Sequence, residues 1–189
     1  NSAAKKALQD ARQAYSQAFA ISSNPIQPNH DLGSLTYTPG AYSVDGNAVF
    51  SGNMVLEGGG KPTAAHIFQV NGNLNISNSA VLNHKAKATA TSVLWVVNGD
   101  LNVGKNAVLE GTFIAKGKIT LAEGVKLKGR VISLNSEVSL SQAVLNAPSD
   151  LMIEITMSAS STGTASYEHN EEVSFYFKVT NKGPADEGD

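Results

Sequence analysis

Between residues 70 and 146 apolar and polar positions alternate in short bursts, and the bursts repeat. Val97-Asn98-Gly99-Asp100-Leu101-Asn102-Val103 returns as Ala115-Lys116-Gly117-Lys118-Ile119-Thr120-Leu121 and again as Leu134-Asn135-Ser136-Glu137-Val138-Ser139-Leu140. A second burst follows each: Ala107-Val108-Leu109-Glu110, Val125-Lys126-Leu127-Lys128 and Ala143-Val144-Leu145-Asn146. Alternation of period two marks strands with one buried face. From Gly99 to Gly117 is 18 residues, and from Gly117 to Ser136 is 19. Val70-Asn71-Gly72-Asn73-Leu74-Asn75-Ile76 is an earlier copy, with Ala80-Val81-Leu82-Asn83 as its partner, and a polar insertion at 84–92 accounts for the step of 27 to the next. Weaker copies occupy 44–50 and 50–56. A fixed period of this size, made of strands and turns, predicts a β-solenoid.

The N-terminal pattern has a different period. Ala4, Ala7, Leu8, Ala11, Tyr15, Ala18 and Phe19 recur at helical spacing, with Lys5, Lys6, Asp10 and Arg12 on the other side. This predicts one helix over 3–20 with Ser2 as its cap. Pro25 and Pro28 are expected to end regular structure there. Beyond 147 the pattern changes to longer alternating strands around a Ser/Thr-rich run, and 179–186 resembles the start of an immunoglobulin-like repeat of bacterial surface proteins. The fold class is therefore mainly β: a β-solenoid with one long α-helix packed along one face, plus a C-terminal β-strand tail. The expected division is 1–31 for helix and connection, 32–147 for the coils, and 148–189 for a partial immunoglobulin-like segment, linker or donor strands.

Alternation also assigns the faces. Aligned just before each turn, Phe68, Trp95, Phe113 and Ile132 form one inward column, and Val70, Val97, Ala115 and Leu134 form another. Ile67, Leu94, Thr112, Val96, Ile114 and Val131 then point outward, a mostly apolar surface that the helix stripe is expected to cover. On a second face Leu101, Val103, Ile119 and Leu121 point inward, leaving an outward ladder of Asn75, Asn102, Thr120 and Ser139. Asn73, Asp100, Lys118 and Glu137 run beside it. A third face presents Val81, Val108 and Val144, interrupted by Lys126.

Composition narrows the function. Fourteen basic residues against sixteen acidic give a net charge of −2, which gives no reason to expect a nucleic-acid or acidic-membrane partner. There is no cysteine, hence no disulfide and no thiolate chemistry. No apolar run is long enough to insert in a membrane. The sequence opens Asn1-Ser2 without Met or a signal pattern, as expected of a processed or excerpted product. His30, His66, His84 and His169 show no spacing that suggests a triad or a metal site. Gly58-Gly59-Gly60-Lys61-Pro62 lacks the Ser/Thr and the following helix of a phosphate cradle. No catalytic residue, metal or cofactor is expected, and the protein is not read as an enzyme.

Further stretches stand out: Ala14-Tyr15, Leu32-Gly33, Leu35-Thr36-Tyr37-Thr38-Pro39-Gly40-Ala41-Tyr42, Ile67-Phe68-Gln69-Val70, Val93-Leu94-Trp95-Val96-Val97, Gly111-Thr112-Phe113-Ile114-Ala115 and Gly129-Arg130. Together they resemble one family, the ice-binding proteins of bacteria, fungi and algae built as a β-solenoid with a long helix along one side. The resemblance spans roughly 4–146. It implies that fold, a non-catalytic extracellular role and ice crystals as a partner. In the family, strands and loops precede the helix and help close the solenoid, so that part is expected to be missing here or supplied by another segment or chain. Active members often carry a Thr, small residue, any residue, Thr/Asn pattern. Here the last position is Asn or Thr in three of four copies, the first Thr is absent, and the second residue is Asn73, Asp100, Lys118 or Glu137. The expectation is a structural or adhesive module, secreted or at the cell surface of a bacterium. It would join copies of itself or neighbouring domains, with strand exchange between subunits as the route to filaments. The alternative is ice binding through Asn75, Asn102, Thr120 and Ser139, or through the second face of Val81, Val108 and Val144.

Overall fold

A computed structural model describes residues 2–26, 31–61, 64–86, 88 and 92–146, together with the strand pair 153–154 and 178–179. The chain divides into two compact units, Asn1–Ala147 and Pro148–Asp189. In the second, Ile153–Glu154 pairs antiparallel with Lys178–Val179; the remaining positions of the expected immunoglobulin-like segment lie outside the described residues.

The first unit is the expected solenoid. Three-residue strands stack in parallel as Ala48–Phe50, Leu74–Ile76, Leu101–Val103, Ile119–Leu121 and Val138–Leu140. A larger parallel sheet wraps the other two faces. Gly40–Val44, His66–Val70, Val93–Val97 and the second half of Val108–Ala115 form the helix face. Asn53–Glu57, Val81–Lys85 and Val144–Asn146 belong to the third. Val108–Ala115 and Lys126–Ser133 run unbroken through the corner between these faces, where Gly111 and Gly129 pair. A β-carbon on Gly129 would sit 1.9 Å from the Gly111 carbonyl oxygen, and φ there is +151°, so this corner takes only glycine. Asn24–Pro25 adds an edge strand beside Tyr42 and Ser43. Pro25 thus does not end the regular structure: it stands at an edge, where a missing N–H is tolerated.

Inside, one aromatic ring per coil stacks on the next. Ring centroids are 5.6 Å apart for Tyr42 and Phe68, 4.2 Å for Phe68 and Trp95, and 5.3 Å for Trp95 and Phe113. Phe68, Trp95 and Phe113 are fully buried, each worth about 1.5–3 kcal/mol in burial alone. A second apolar cluster joins the helix Ser2–Ala20 to the wall: Ala11, Tyr15 and Ala18 pack on Val96, Ile114 and Leu134.

The last coil departs from the expected facing. Val131 pairs with Phe113 and Ile132 with Ile114, so Val131 faces the core while Ile132 faces the helix, the reverse of the alignment before the turns. Leu134 also leaves the core column and packs under the helix. The eight-residue strand fixes an 18-residue register from Val108 to Ser133, and the extra residue of the 19-residue step is absorbed afterwards, at the turn. A shift of one residue turns every side chain to the opposite face.

The helix runs against the progression of the coils. Arg12 donates to the Leu134 carbonyl, Tyr15 reaches Asn98, and Gln69 meets the helix end at Ala18. Gln69 is 6% exposed and stands between Ser43 and the apolar Val96 and Ile114 in its outward column. Its amide donates to the carbonyls of Ala18 and Ile21 at 2.7 and 2.8 Å and accepts from the Ser23 hydroxyl. It therefore gives a donor to the Ile21 carbonyl and a second one to the Ala18 carbonyl, which the Ile21 N–H meets only at 3.4 Å.

Candidate binding faces

The short-strand face brings the first set of predicted residues into one row. Val49, Asn75, Asn102, Thr120 and Ser139 are consecutive register partners, one per coil. Neighbouring strands lie ~4.8 Å apart, so these groups form a regular, nearly flat array. Asn102 donates from Nδ2 to Asn75 Oδ1 at 3.1 Å, which fixes both amides in the row. Val49 at its head belongs to the weaker copy 44–50 and takes the position that Asn75 holds in the next coil.

The neighbouring column is not a row of projecting charges. Asn47 Oδ1 accepts from the backbone N–H of Asn73 at 2.8 Å, Asn73 Oδ1 from that of Asp100 at 2.8 Å, and Asp100 Oδ1 from that of Lys118 at 2.7 Å. Each side chain is turned along the solenoid into the next coil. Only Lys118 and Glu137 stand out, and they pair with each other at 2.7 Å. The contact with Lys118 holds the Glu137 carboxyl below its usual range.

The third face carries Val81, Val108, Lys126 and Val144 in register, with Asn53 before them. Lys126 lies between Val108 and Val144, and Lys128 is beside it. A cation thus interrupts the apolar column of this surface, whereas the row from Asn75 to Ser139 on the short-strand face is small and polar, with the Lys118–Glu137 pair beside it.

The family model described as Ice-binding-like matches residues 1–146. The chain belongs to this family. An ice-binding protein of Leucosporidium sp. (strain AY30) is 31% identical over 148 residues, covering 75% of this chain and 54% of the relative. One from Nostoc sp. (strain HG1) is 30% identical, covering 72% of this chain and 51% of the relative. The chain thus spans about half the length of the curated relatives it matches. The crystal structure of an ice-binding protein from the Antarctic ascomycete Antarctomyces psychrotrophicus superimposes with a TM-score of 0.76 at 24% identity, over 78% of this chain and 73% of that one, and shows the shared fold.

Beyond the two faces, the ice-binding-like domain holds a buried polar pair at the corner between third face and helix face. His66 is fully buried, and neither of its ring nitrogens has a partner at hydrogen-bonding geometry among the described residues. His84 places Nδ1 3.2 Å from Glu110 Oε2, while its Nε2 is unpartnered. The distant histidine–carboxylate approach escaped the sequence because 26 residues separate the two. Burial lowers both imidazole pKa values. The nearby backbone of Tyr37 and Glu57 opposes this at His66, and Glu110 opposes it at His84. Among the described residues no three potential metal ligands cluster, and no helix is long and apolar enough to cross a membrane.

Proposed function

We propose that this domain binds ice through its short-strand face, with Asn75, Asn102, Thr120 and Ser139 as the contact row. The in-register column carries this reading. Amides and hydroxyls repeat at one strand spacing on a surface too narrow to curve, an arrangement suited to holding an ordered layer of water against a lattice. The coil-to-coil hydrogen bonds of Asn73 and Asp100 support it, because they take those polar groups out of the contact plane. The names of the curated relatives point the same way. The role is binding, without catalysis, metal or cofactor, and its setting is outside the cell.

Thermal hysteresis and inhibition of ice recrystallisation test this directly. Thr120→Tyr places a bulky ring in the middle of the row and is expected to abolish most activity, whereas Val108→Tyr on the third face leaves it unchanged. The reverse pattern assigns ice contact to Val81, Val108 and Val144 instead. A wild-type domain without either activity overturns both assignments.

A second reading rests on the last coil. Its edge strands Val138–Leu140 and Val144–Asn146 expose Val138, Leu140, Val144 and Leu145. Open edges with apolar side chains are templates for strand addition. A structural or adhesive module of a bacterial surface protein, joining copies or neighbouring domains there, fits that feature. Light scattering that finds only monomers at high concentration removes the self-assembly version.

A further inference from the structure

The helix and the first row of turns enclose a shallow groove of about 510 Å³ that neither proposed face uses. It continues past Phe19 and Asn71 into a second recess of about 300 Å³. We propose that this groove binds a linear acidic saccharide.

The turn row supplies the polar wall. Asn71 and Asn98 stand just before the turn glycines of successive coils. Asn98 Nδ2 donates to Asn71 Oδ1 at 2.9 Å, Asn71 Nδ2 donates to Asp45 Oδ1 at 3.1 Å, and the Tyr15 hydroxyl donates to Asn98 Oδ1 at 3.3 Å. These bonds orient both amides and use one hydrogen of each nitrogen, leaving the second for a ligand. Successive rungs are ~4.8 Å apart, comparable with the length of one pyranose unit, so neighbouring amides meet neighbouring sugars.

Charge and shape select the class. The chain carries a net charge of −2, yet among the described residues the charged side chains lining the larger groove are both cationic, Arg12 and Lys116; Asp45 lines the smaller recess, where it accepts from Asn71. Lys116 makes no ion pair among the described residues, and its ammonium lies 5.3 Å from the centre of the Tyr15 ring. Arg12 spends Nη2 on the Leu134 carbonyl and Asn135 Oδ1. Its remaining N–H groups are donors for a carboxylate. Phe19, partly buried and 4.8 Å from Tyr15 between ring centroids, offers a surface for the C–H face of a sugar. An extended peptide fits less well, because the turn backbone is already paired: Gly99 N–H donates to the Gly72 carbonyl and Gly117 N–H to that of Gly99. No strand edge is left in the groove to extend.

Titration of the whole chain with an oligogalacturonate, followed through the side-chain amide signals of Asn71 and Asn98, tests the proposal. Both signals should shift, and Lys116→Gln should weaken binding about tenfold, the effect of one charge-assisted hydrogen bond. Retention of the backbone amide spectrum confirms that the variant is folded. Three results overturn the proposal: no shift at millimolar saccharide, undiminished binding by K116Q, or equal binding of a glutamate peptide. Equal binding of a neutral glucan overturns the acidic class.

Discussion

The repeated glycine of each coil is set by an oxygen in the coil before it. A β-carbon on Gly72 would lie 2.6 Å from Asn47 Oδ1, one on Gly99 2.1 Å from Asn73 Oδ1, and one on Gly117 2.0 Å from Asp100 Oδ1. Space is the constraint at these positions, since the same oxygen must reach past the glycine to the next N–H. Where the preceding residue is Lys118, no such oxygen exists, and the sequence has Ser136 in place of glycine. There the join is made differently, with the Ser133 hydroxyl donating to the Gly117 carbonyl and accepting from the Ser136 N–H. Gly99→Ala is therefore expected to lower unfolding free energy by about 2 kcal/mol through overpacking. Asn73→Ala should cost about 1 kcal/mol as a lost hydrogen bond. The double variant should lose less than the two together, because removing Asn73 relieves the closest contact and leaves only the milder one with the Gly72 carbonyl oxygen at 2.9 Å. Denaturant titrations that give simple additivity would refute this coupling.

At the scale of elements, Gln69 joins helix to wall. Gln69→Leu leaves the carbonyls of Ala18 and Ile21 without their donor in a partly buried seam, for an expected loss of about 1–3 kcal/mol. Amide hydrogen exchange should quicken over 15–21 while the strands Leu101–Val103 and Ile119–Leu121 keep their protection; uniform quickening would contradict a local role. These elements differ in how far the sequence reveals them. Strand spacing, the helix stripe and the Asn75–Ser139 row follow from periodicity, because a buried face enforces alternation. The inward place of Val131 and the helix-side place of Ile132 and Leu134 do not, because counting cannot say where in a 19-residue step the extra residue falls. Asn73 and Asp100 read as surface groups since the sequence carries no record of a side chain directed along the solenoid. Gln69 did leave a trace, as a long polar side chain in the column that continues with Val96 and Ile114.

As a whole, the domain is a stack in which each coil touches mainly its neighbours, so a local defect is transmitted along it. The His66–His84 corner ties this stack to pH. Burial holds both imidazoles below the ordinary value of 6.5, with Glu110 and Lys128 acting in opposite senses on His84. The unfolded chain thus binds more protons than the folded one as pH falls through that value, and stability declines on the acid side. The melting temperature should be level above about pH 7 and drop below pH 6. His66→Leu combined with His84→Gln should flatten the profile; an unchanged acid drop would place its origin elsewhere.

The forward-reaching oxygen has one more consequence. The coils of Asn73 and Asp100 each carry both a plug, the Asn or Asp oxygen, and a socket, the glycine and N–H that receive the plug of the coil before. A unit with both halves can be copied between two others without altering either junction. Solenoid length is then free to change by whole coils, and with it the number of rungs facing a lattice. The pairing of Lys118 with Ser136 is where that series stops, since a coil ending in lysine has a socket but no plug to pass on.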